Sequence, residues 1–160
     1  MDKPVILCIG ANNITGDSLG PAVGDLLIME YNIDAYVYGH TARPINGLNY
    51  VDYVKHIETH HKNNVIIAVD ACLGKKQDVG KIKCSLKGIA AGGALNKNYE
   101  RIGDIGILGI VGEATKSDNM ETLKSVNKHF ISAMASSIAK IINKLVSELY
   151  DLRIYGKKAV

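Results

Sequence analysis

Two uninterrupted apolar runs, residues 5–9 and 65–69, constrain the fold of this chain most strongly. A strand with five hydrophobic residues in a row is typical of a parallel sheet covered by helices on both faces. A third apolar run, residues 105–111, is punctuated by Gly106 and Gly109. The three runs predict buried strands of one α/β sheet.

The segments between these runs complete the predicted order of elements. Further strands are predicted at residues 33–38 and 80–86, and helices with an apolar face at residues 18–31, 48–61 and 119–150. Asp118 and Glu121 form a capping-box pattern before the last helix. The segment from Asp70 to Gly80 is too short for a crossover helix, so strand 80–86 is predicted to run antiparallel to the third strand. The glycine-rich stretch 88–93 is predicted to be a loop. The 160 residues therefore predict one α/β domain spanning 1–160.

Composition excludes several classes of function. The net charge is only +3 and no Lys/Arg cluster is present, so nucleic acid is not an expected partner. No uninterrupted apolar run approaches the roughly 20 residues of a membrane span, so no membrane partner is expected. The three cysteines have no CxxC spacing, which argues against zinc and a disulfide framework. No GxGxxG or Walker A spacing occurs, and no cofactor is expected. We expect a cytoplasmic protein.

Two aspartates are the strongest candidates for chemistry. Asp17 lies in the polar loop after the first strand, and Asp70 directly follows the third. Parallel strands place both loops at one edge of the sheet, where ligands bind. Two close carboxylates share a proton, and such a pair can hydrolyse an amide or hold a hard divalent cation. A structural explanation stays open, because Asp17 is also a good helix N-cap and Asp70 a good turn residue.

Other polar residues are expected to have ordinary roles. His40 is predicted to lie on the surface, and His56, His60 and His61 to favour the C-terminus of a helix electrostatically. Asp104 begins a strand and should lie at the opposite edge of the sheet from the candidate pair.

Several motifs together resemble the YyaC family of sporulation proteins. They are Ile9-Gly10, residues 15–21 (TGDSLGP), residues 68–74 (AVDACLG), Gly103-Asp104-Ile105 and Gly109-Ile110-Val111. That family is similar to the spore germination protease and, more distantly, to the hydrogenase maturation endopeptidases. The resemblance implies a phosphorylase/hydrolase-like, three-layer α/β/α sandwich. Its mixed five-stranded sheet would have the order 2-1-3-5-4, with the fourth strand antiparallel.

The resemblance also implies a function, a peptidase that uses Asp17 and Asp70 as its catalytic pair on a protein or peptide substrate. It would act in the cytoplasm of the mother cell or forespore. Residues placed near the substrate are Asn12, Asn13, Thr15, Ser18, Gly74, Gly92 and Gly93. In the hydrogenase peptidases a His completes a nickel site, but residues 88–95 here contain no His, which argues against nickel. Any metal would be held by Asp17 and Asp70.

Two alternatives to an aspartate-dependent peptidase stay open. One is a non-catalytic sporulation protein that binds a peptide or protein partner in the same cleft. The other is a metal-binding endopeptidase of the maturation type. The apolar face of the long last helix leaves a homodimer open as well.

Overall fold

The computed structural model describes residues 2–92 and 100–158, with side chains described as far as residue 152. The part of the chain described contains seven strands, four α-helices and two 3-10 helices. The strands are β1 (Val5–Cys8), β2 (Tyr36–Tyr38), β3 (Ile66–Gly74), β4 (Ile82–Ser85), β5 (Ile89–Ala90), β6 (Arg101–Ile102) and β7 (Ile105–Glu113). The α-helices are α1 (Leu19–Met29), α2 (Tyr50–His60), α3 (Asn119–Ser125) and α4 (Lys128–Lys158), and the 3-10 helices are Gly16–Ser18 and Lys76–Asp78.

The main sheet has five strands in the order β2-β1-β3-β7-β4. All neighbours are parallel except β4, which runs antiparallel to β7. Because β7 is the fifth strand of this sheet along the chain, the order 2-1-3-5-4 and the antiparallel fourth strand are both confirmed. β4 therefore points opposite to β3, as predicted, but β7 lies between them and supplies its hydrogen bonds.

Two hydrophobic clusters cover the two faces of the sheet, as expected of an α/β/α sandwich. On one face, α1 and α4 pack against side chains such as Ile6, Val69 and Ile107. On the other face, α2 and the β5–β6 hairpin pack against side chains such as Leu7 and Ala68. The fully buried side chains are predominantly Ile, Leu, Val and Ala. Burying them supplies the main driving force for folding.

Strand β3 is longer than the sequence predicts. Residue 70 is inside the strand and not beyond it, since β3 continues to Gly74 with Asp70 paired to Leu108 of β7. An aspartate normally disfavours a strand. Here the nine-residue β7 runs alongside and provides hydrogen-bond partners for the added length.

The glycine-rich stretch 88–93 is not simply a loop. Ile89 and Ala90 form β5, which pairs antiparallel with Ile102 and Arg101. The buried Ile89 side chain belongs to the second hydrophobic cluster, and this tertiary contact explains why the segment is ordered as a strand despite its glycines.

The long last helix is interrupted, contrary to the prediction. Asp118 accepts a hydrogen bond from the Glu121 N–H and starts α3, but the chain leaves helical geometry at Val126. Asn127 then accepts from the N–H of His129 at 2.8 Å and caps α4. By length and composition, Lys128–Leu152 is apolar enough to cross a membrane. The helix nevertheless packs as the core helix of a globular domain, with Met134 and Ile138 buried against the sheet.

Candidate active site

A tight turn after β1 places Asp17. Gly10 has φ +153°, and a Cβ at this position would lie 2.0 Å from the Asp17 carbonyl oxygen. The chain therefore folds back over Gly10 and enters the 3-10 helix that contains Asp17. The Ala11 N–H, just beyond β1, donates to Asp17 Oδ2 at 2.9 Å. This bond holds the half-buried carboxylate over the end of β1.

The first helix approaches the same point closely. A Cβ on Gly20 would lie 2.0 Å from the Ile9 carbonyl oxygen, so only glycine allows this contact between α1 and β1. The N-cap residue of α1 is Ser18, and its side chain makes no capping hydrogen bond. Asp17 lies one residue before this N-cap, and its carboxylate accepts from the Ala11 N–H. Its negative charge still lies beside the N-terminus of α1, where the helix dipole favours it.

Asp70 lies on the β3 segment that extends past the end of β1. The last residue pair between these strands is Cys8 with Val69, one residue before Asp70. The side chain is 4% exposed and belongs to the face covered by α2 and the hairpin. Its Oδ1 accepts from the Ala71 N–H at 2.8 Å and its Oδ2 from the Gly92 N–H at 3.3 Å.

Burial and charge act together on Asp70. Burial raises the pKa of Asp70 from 3.8 to about 8, and the negative charge of Asp17 contributes to the rise. The N–H groups of Gly92 and Ala71 oppose it. Asp70 therefore keeps its proton at neutral pH with the carboxylate of Asp17 close enough to influence it. A protonated carboxyl beside a second carboxylate can donate a hydrogen bond while its neighbour accepts a proton.

Two residues that sequence reasoning missed lie on the same face as Asp70. Cys72 follows two positions along β3, and burial raises the pKa of its thiol to about 11, with Asp70 adding to the rise and Lys83 opposing it. Lys83 and Asp70 both pair with Leu108, from opposite sides, so the three residues form one row across the sheet. The period of two along a strand could have indicated Cys72. Lys83 depends on the strand order and could not be found locally.

The predicted substrate-binding residues have different positions and contacts in the structure. The Asn12 side chain donates to the Thr41 carbonyl at 2.6 Å, and Asn13 is exposed in the same loop. The Ser18 hydroxyl donates to the Thr15 carbonyl, so both residues stabilise the turn that carries Asp17. Gly92 contacts Asp70 directly, whereas Gly74 ends β3 four residues further on. Gly93 lies outside the described residues.

The histidines and Asp104 make contacts of their own. His61 is buried and bonds through Nε2 to Tyr38 Oη at 2.7 Å, so the prediction that it is merely a cation at a helix end is incomplete. His40 pairs through its backbone with Arg43. Asp104 Oδ2 accepts from the N–H of Ile66, the first residue of β3, which places Asp104 at the opposite edge as predicted.

A nickel site like that of the maturation endopeptidases does not fit the described residues. Asp17 and Asp70 supply two carboxylates, but within residues 2–92 and 100–158 no three His, Cys, Asp or Glu side chains are grouped so as to hold a metal ion. A third ligand would have to come from elsewhere.

The fold places the chain in a structural class, the one built on the fold of the hydrogenase maturation proteases. The chain superposes on the [NiFe] hydrogenase maturation protease HycI from Thermococcus kodakarensis with a TM-score of 0.56 at 17% identity, over 91% of this chain and 92% of that one. HybD of the same organism gives 0.55 at 14%, over 90% and 99%. An uncharacterized protein from Wolinella succinogenes gives 0.55 at 16%, over 92% and 99%.

Within that class, the sequence defines the family. Residues 1–141 match the model described as "Protein of unknown function (DUF1256)". The chain is also 36% identical over 141 residues to the uncharacterized protein YyaC of Bacillus subtilis strain 168, covering 86% of this chain and 67% of that protein. The chain therefore belongs to the DUF1256 family, and its resemblance to YyaC is confirmed.

Proposed function

We propose that this protein is a peptidase of the germination-protease type that hydrolyses an amide bond with Asp17 and Asp70. The observation that supports it best is electrostatic. Burial and the neighbouring carboxylate of Asp17 raise the pKa of Asp70 to about 8, so the pair holds one proton at neutral pH. A group whose pKa is displaced this far, just past the end of β1 in a mostly parallel sheet, is a candidate for acid–base chemistry.

The two carboxyl groups have complementary roles in the proposed reaction. Asp17, with the Ala11 N–H and the α1 N-terminus stabilising its charge, accepts a proton from water. The water oxygen then bonds to the substrate carbonyl carbon. Protonated Asp70 donates a hydrogen bond to the carbonyl oxygen, where negative charge develops. When the C–N bond breaks, the proton held by Asp17 passes to the leaving amine. No covalent intermediate with the protein forms.

The substrate is proposed to be a protein or peptide of the sporulating cell, cleaved in the cytoplasm of the mother cell or forespore. The resemblance to the YyaC family supports the sporulation role. The fold shared with two proteins named as maturation proteases supports peptide hydrolysis.

The test compares protein ends before and after incubation with the purified protein. An extract of sporulating cells is treated with wild type, Asp17→Asn, Asp70→Asn or Asp151→Asn, and new N-termini are labelled and identified by mass spectrometry. Asp151 is an exposed residue of α4 and serves as the control. We expect one set of new termini with wild type and Asp151→Asn, and none with either active-site variant. Termini that persist in the Asp17→Asn and Asp70→Asn variants would refute the proposal.

One observation favours the non-catalytic alternative. Both oxygens of Asp70 already accept backbone N–H groups, and the bond from Gly92 ties the residues that follow β5 to β3. A binding module of this kind would yield no new termini but would retain a partner from the same extract. A metal-dependent peptidase would cleave only after addition of a divalent ion to chelator-treated protein. The same assay thus separates all three functions.

A further inference from the structure

The outer edge of β4 leaves backbone groups without a strand partner in the described sheet. β4 is the last strand of the order, next to β7. The Lys81 carbonyl accepts from the Ile110 N–H, and hydrogen-bonded pairs alternate in an antiparallel ladder. Lys83 and Ser85 therefore face β7, whereas the backbone N–H and C=O of Ile82 and Cys84 point outward. Such an edge readily pairs with another strand.

An apolar groove continues from this edge onto α4. The groove has a volume of about 330 Å³ and is lined by residues that include Cys84, Leu86, Ile141 and Leu145. Leu86, directly after β4, is 86% exposed, and Ile141 is 38% exposed. Apolar side chains adjoining an open strand edge are typical of a surface that is covered in an assembly.

We propose that this surface pairs with a second copy of the chain, β4 against β4, across a two-fold axis at Cys84. In that register Cys84 lies opposite the partner subunit's Cys84, and Ile82 lies opposite the partner subunit's Leu86. Ile82 and Cys84 share the α4 face of the sheet, and Leu86, in the turn after β4, lines the same groove, so the exposed leucine is covered by an apolar side chain. The two five-stranded sheets become one continuous sheet.

Charge on the strand selects this register over its nearest competitor. With the axis at Cys84, Lys83 lies opposite the partner subunit's Ser85 on the face that carries Asp70. Moving the axis by one residue would place Lys83 directly opposite the partner subunit's Lys83, and like charges at that distance destabilise a sheet. Lys83 therefore disfavours the register with the axis at residue 83 and is compatible with the register that has the axis at Cys84.

In the same arrangement, charged side chains of α4 lie near side chains of opposite charge on the α4 helix of the second copy. Lys144 Nζ and Glu148 Oε1 on the rim of the groove are 3.8 Å apart, an exposed pair of little value within one chain. A two-fold axis turns α4 antiparallel to its copy. Because Lys144 and Glu148 line the same groove as Cys84, the proposed arrangement brings Lys144 to the partner subunit's Glu148, and the contact occurs twice. This self-complementarity favours a second copy, and not an unrelated protein, as the occupant.

The first test measures mass in solution by size-exclusion chromatography with light scattering. We expect a dimer for wild type and a monomer for Leu86→Asp, which buries a charge in the pairing surface. Leu48→Asp is the matched control, because Leu48 is a leucine of 96% exposure far from β4. Circular dichroism checks that each variant is folded. A wild-type monomer at high micromolar concentration, or a dimer unaffected by Leu86→Asp, would overturn the proposal.

The second test locates the axis. A short bismaleimide should cross-link wild-type dimers through the exposed Cys84 and fail with Cys84→Ser. Lys144→Glu should weaken the dimer, and adding Glu148→Lys should restore it. A cross-link that survives in Cys84→Ser, or a double variant as weak as the single one, would place the interface elsewhere. Neither test involves Asp17 or Asp70, so the dimer and the proposed peptidase stand or fall separately.

Discussion

Replacing Asp70 with Asn should stabilise the protein at alkaline pH while removing its proposed activity. The pKa of Asp70 is raised from 3.8 to about 8 in the folded state. Between these values the unfolded chain releases a proton that the folded chain keeps, so the wild type loses stability as the pH rises through this window. Asparagine carries no proton to lose and avoids this cost.

The size of the effect follows from the shift and from the hydrogen bonds. A shift of about four units corresponds to an upper limit of roughly 6 kcal/mol, at 1.36 kcal/mol a unit. The Asn amide keeps an oxygen for the Ala71 N–H but presents a donor to the Gly92 N–H, which costs about 1 kcal/mol. After relaxation around the buried charge, we expect Asp70→Asn to be about 2–4 kcal/mol more stable than wild type at about pH 9 and about 1 kcal/mol less stable at about pH 4.

Urea unfolding followed by circular dichroism, repeated from about pH 4 to about pH 9, measures this difference. The two stability curves should cross, while the Asp151→Asn control should follow wild type throughout. A difference between Asp70→Asn and wild type that stays constant across the range would refute the reasoning, because it would mean that residue 70 does not titrate differently in the two states.

Three further predictions concern other parts of the structure. Gly20→Ala should destabilise the protein by about 1–3 kcal/mol in urea unfolding, since its Cβ would lie 2.0 Å from the Ile9 carbonyl oxygen; an unchanged midpoint would contradict the close approach. Asn127→Ala should cost about 1 kcal/mol, because α4 loses its cap, whereas Asn127→Asp should cost little. Alkylation near pH 8 should modify Cys84 well before Cys72, because burial raises the pKa of the Cys72 thiol to about 11; equal rates by mass spectrometry would contradict this.

The central strands of the sheet could be predicted largely from local sequence, because they consist of nearly uninterrupted apolar runs. Burial on both faces requires such runs, and residues 5–9 and 65–69 show them plainly. The extension of β3 through Asp70 could not be predicted, since it depends on a neighbour 38 positions further along the chain, Leu108. The break between α3 and α4 was also missed. Asn127 interrupts an apolar pattern that is otherwise periodic, and only the capping bond shows which role it takes.

In the candidate site too, some residues could be predicted from the nearby sequence, whereas their contacts depend on residues distant in the chain. Asp17 and Asp70 were found from strand ends and parallel topology alone, since both follow apolar runs. The residues that contact these two aspartates could not be predicted in the same way. The N–H groups of Ala11 and Gly92 carry no side-chain signal, and the row that joins Asp70 to Lys83 exists only once β7 lies between their strands.

The proposed chemistry requires Asp70 to keep its proton at neutral pH with Asp17 as its neighbour. Carbon-13 NMR of the aspartate carboxyl groups, with the Asp70 signal assigned from Asp70→Asn, measures this directly. Asp70 should titrate near pH 8 in the wild type and at a lower pH in Asp17→Asn, because that variant lacks the charge that adds to the rise. Titration of Asp70 near its ordinary value of 3.8, or a value unchanged by Asp17→Asn, would contradict the shared proton on which the proposed mechanism depends.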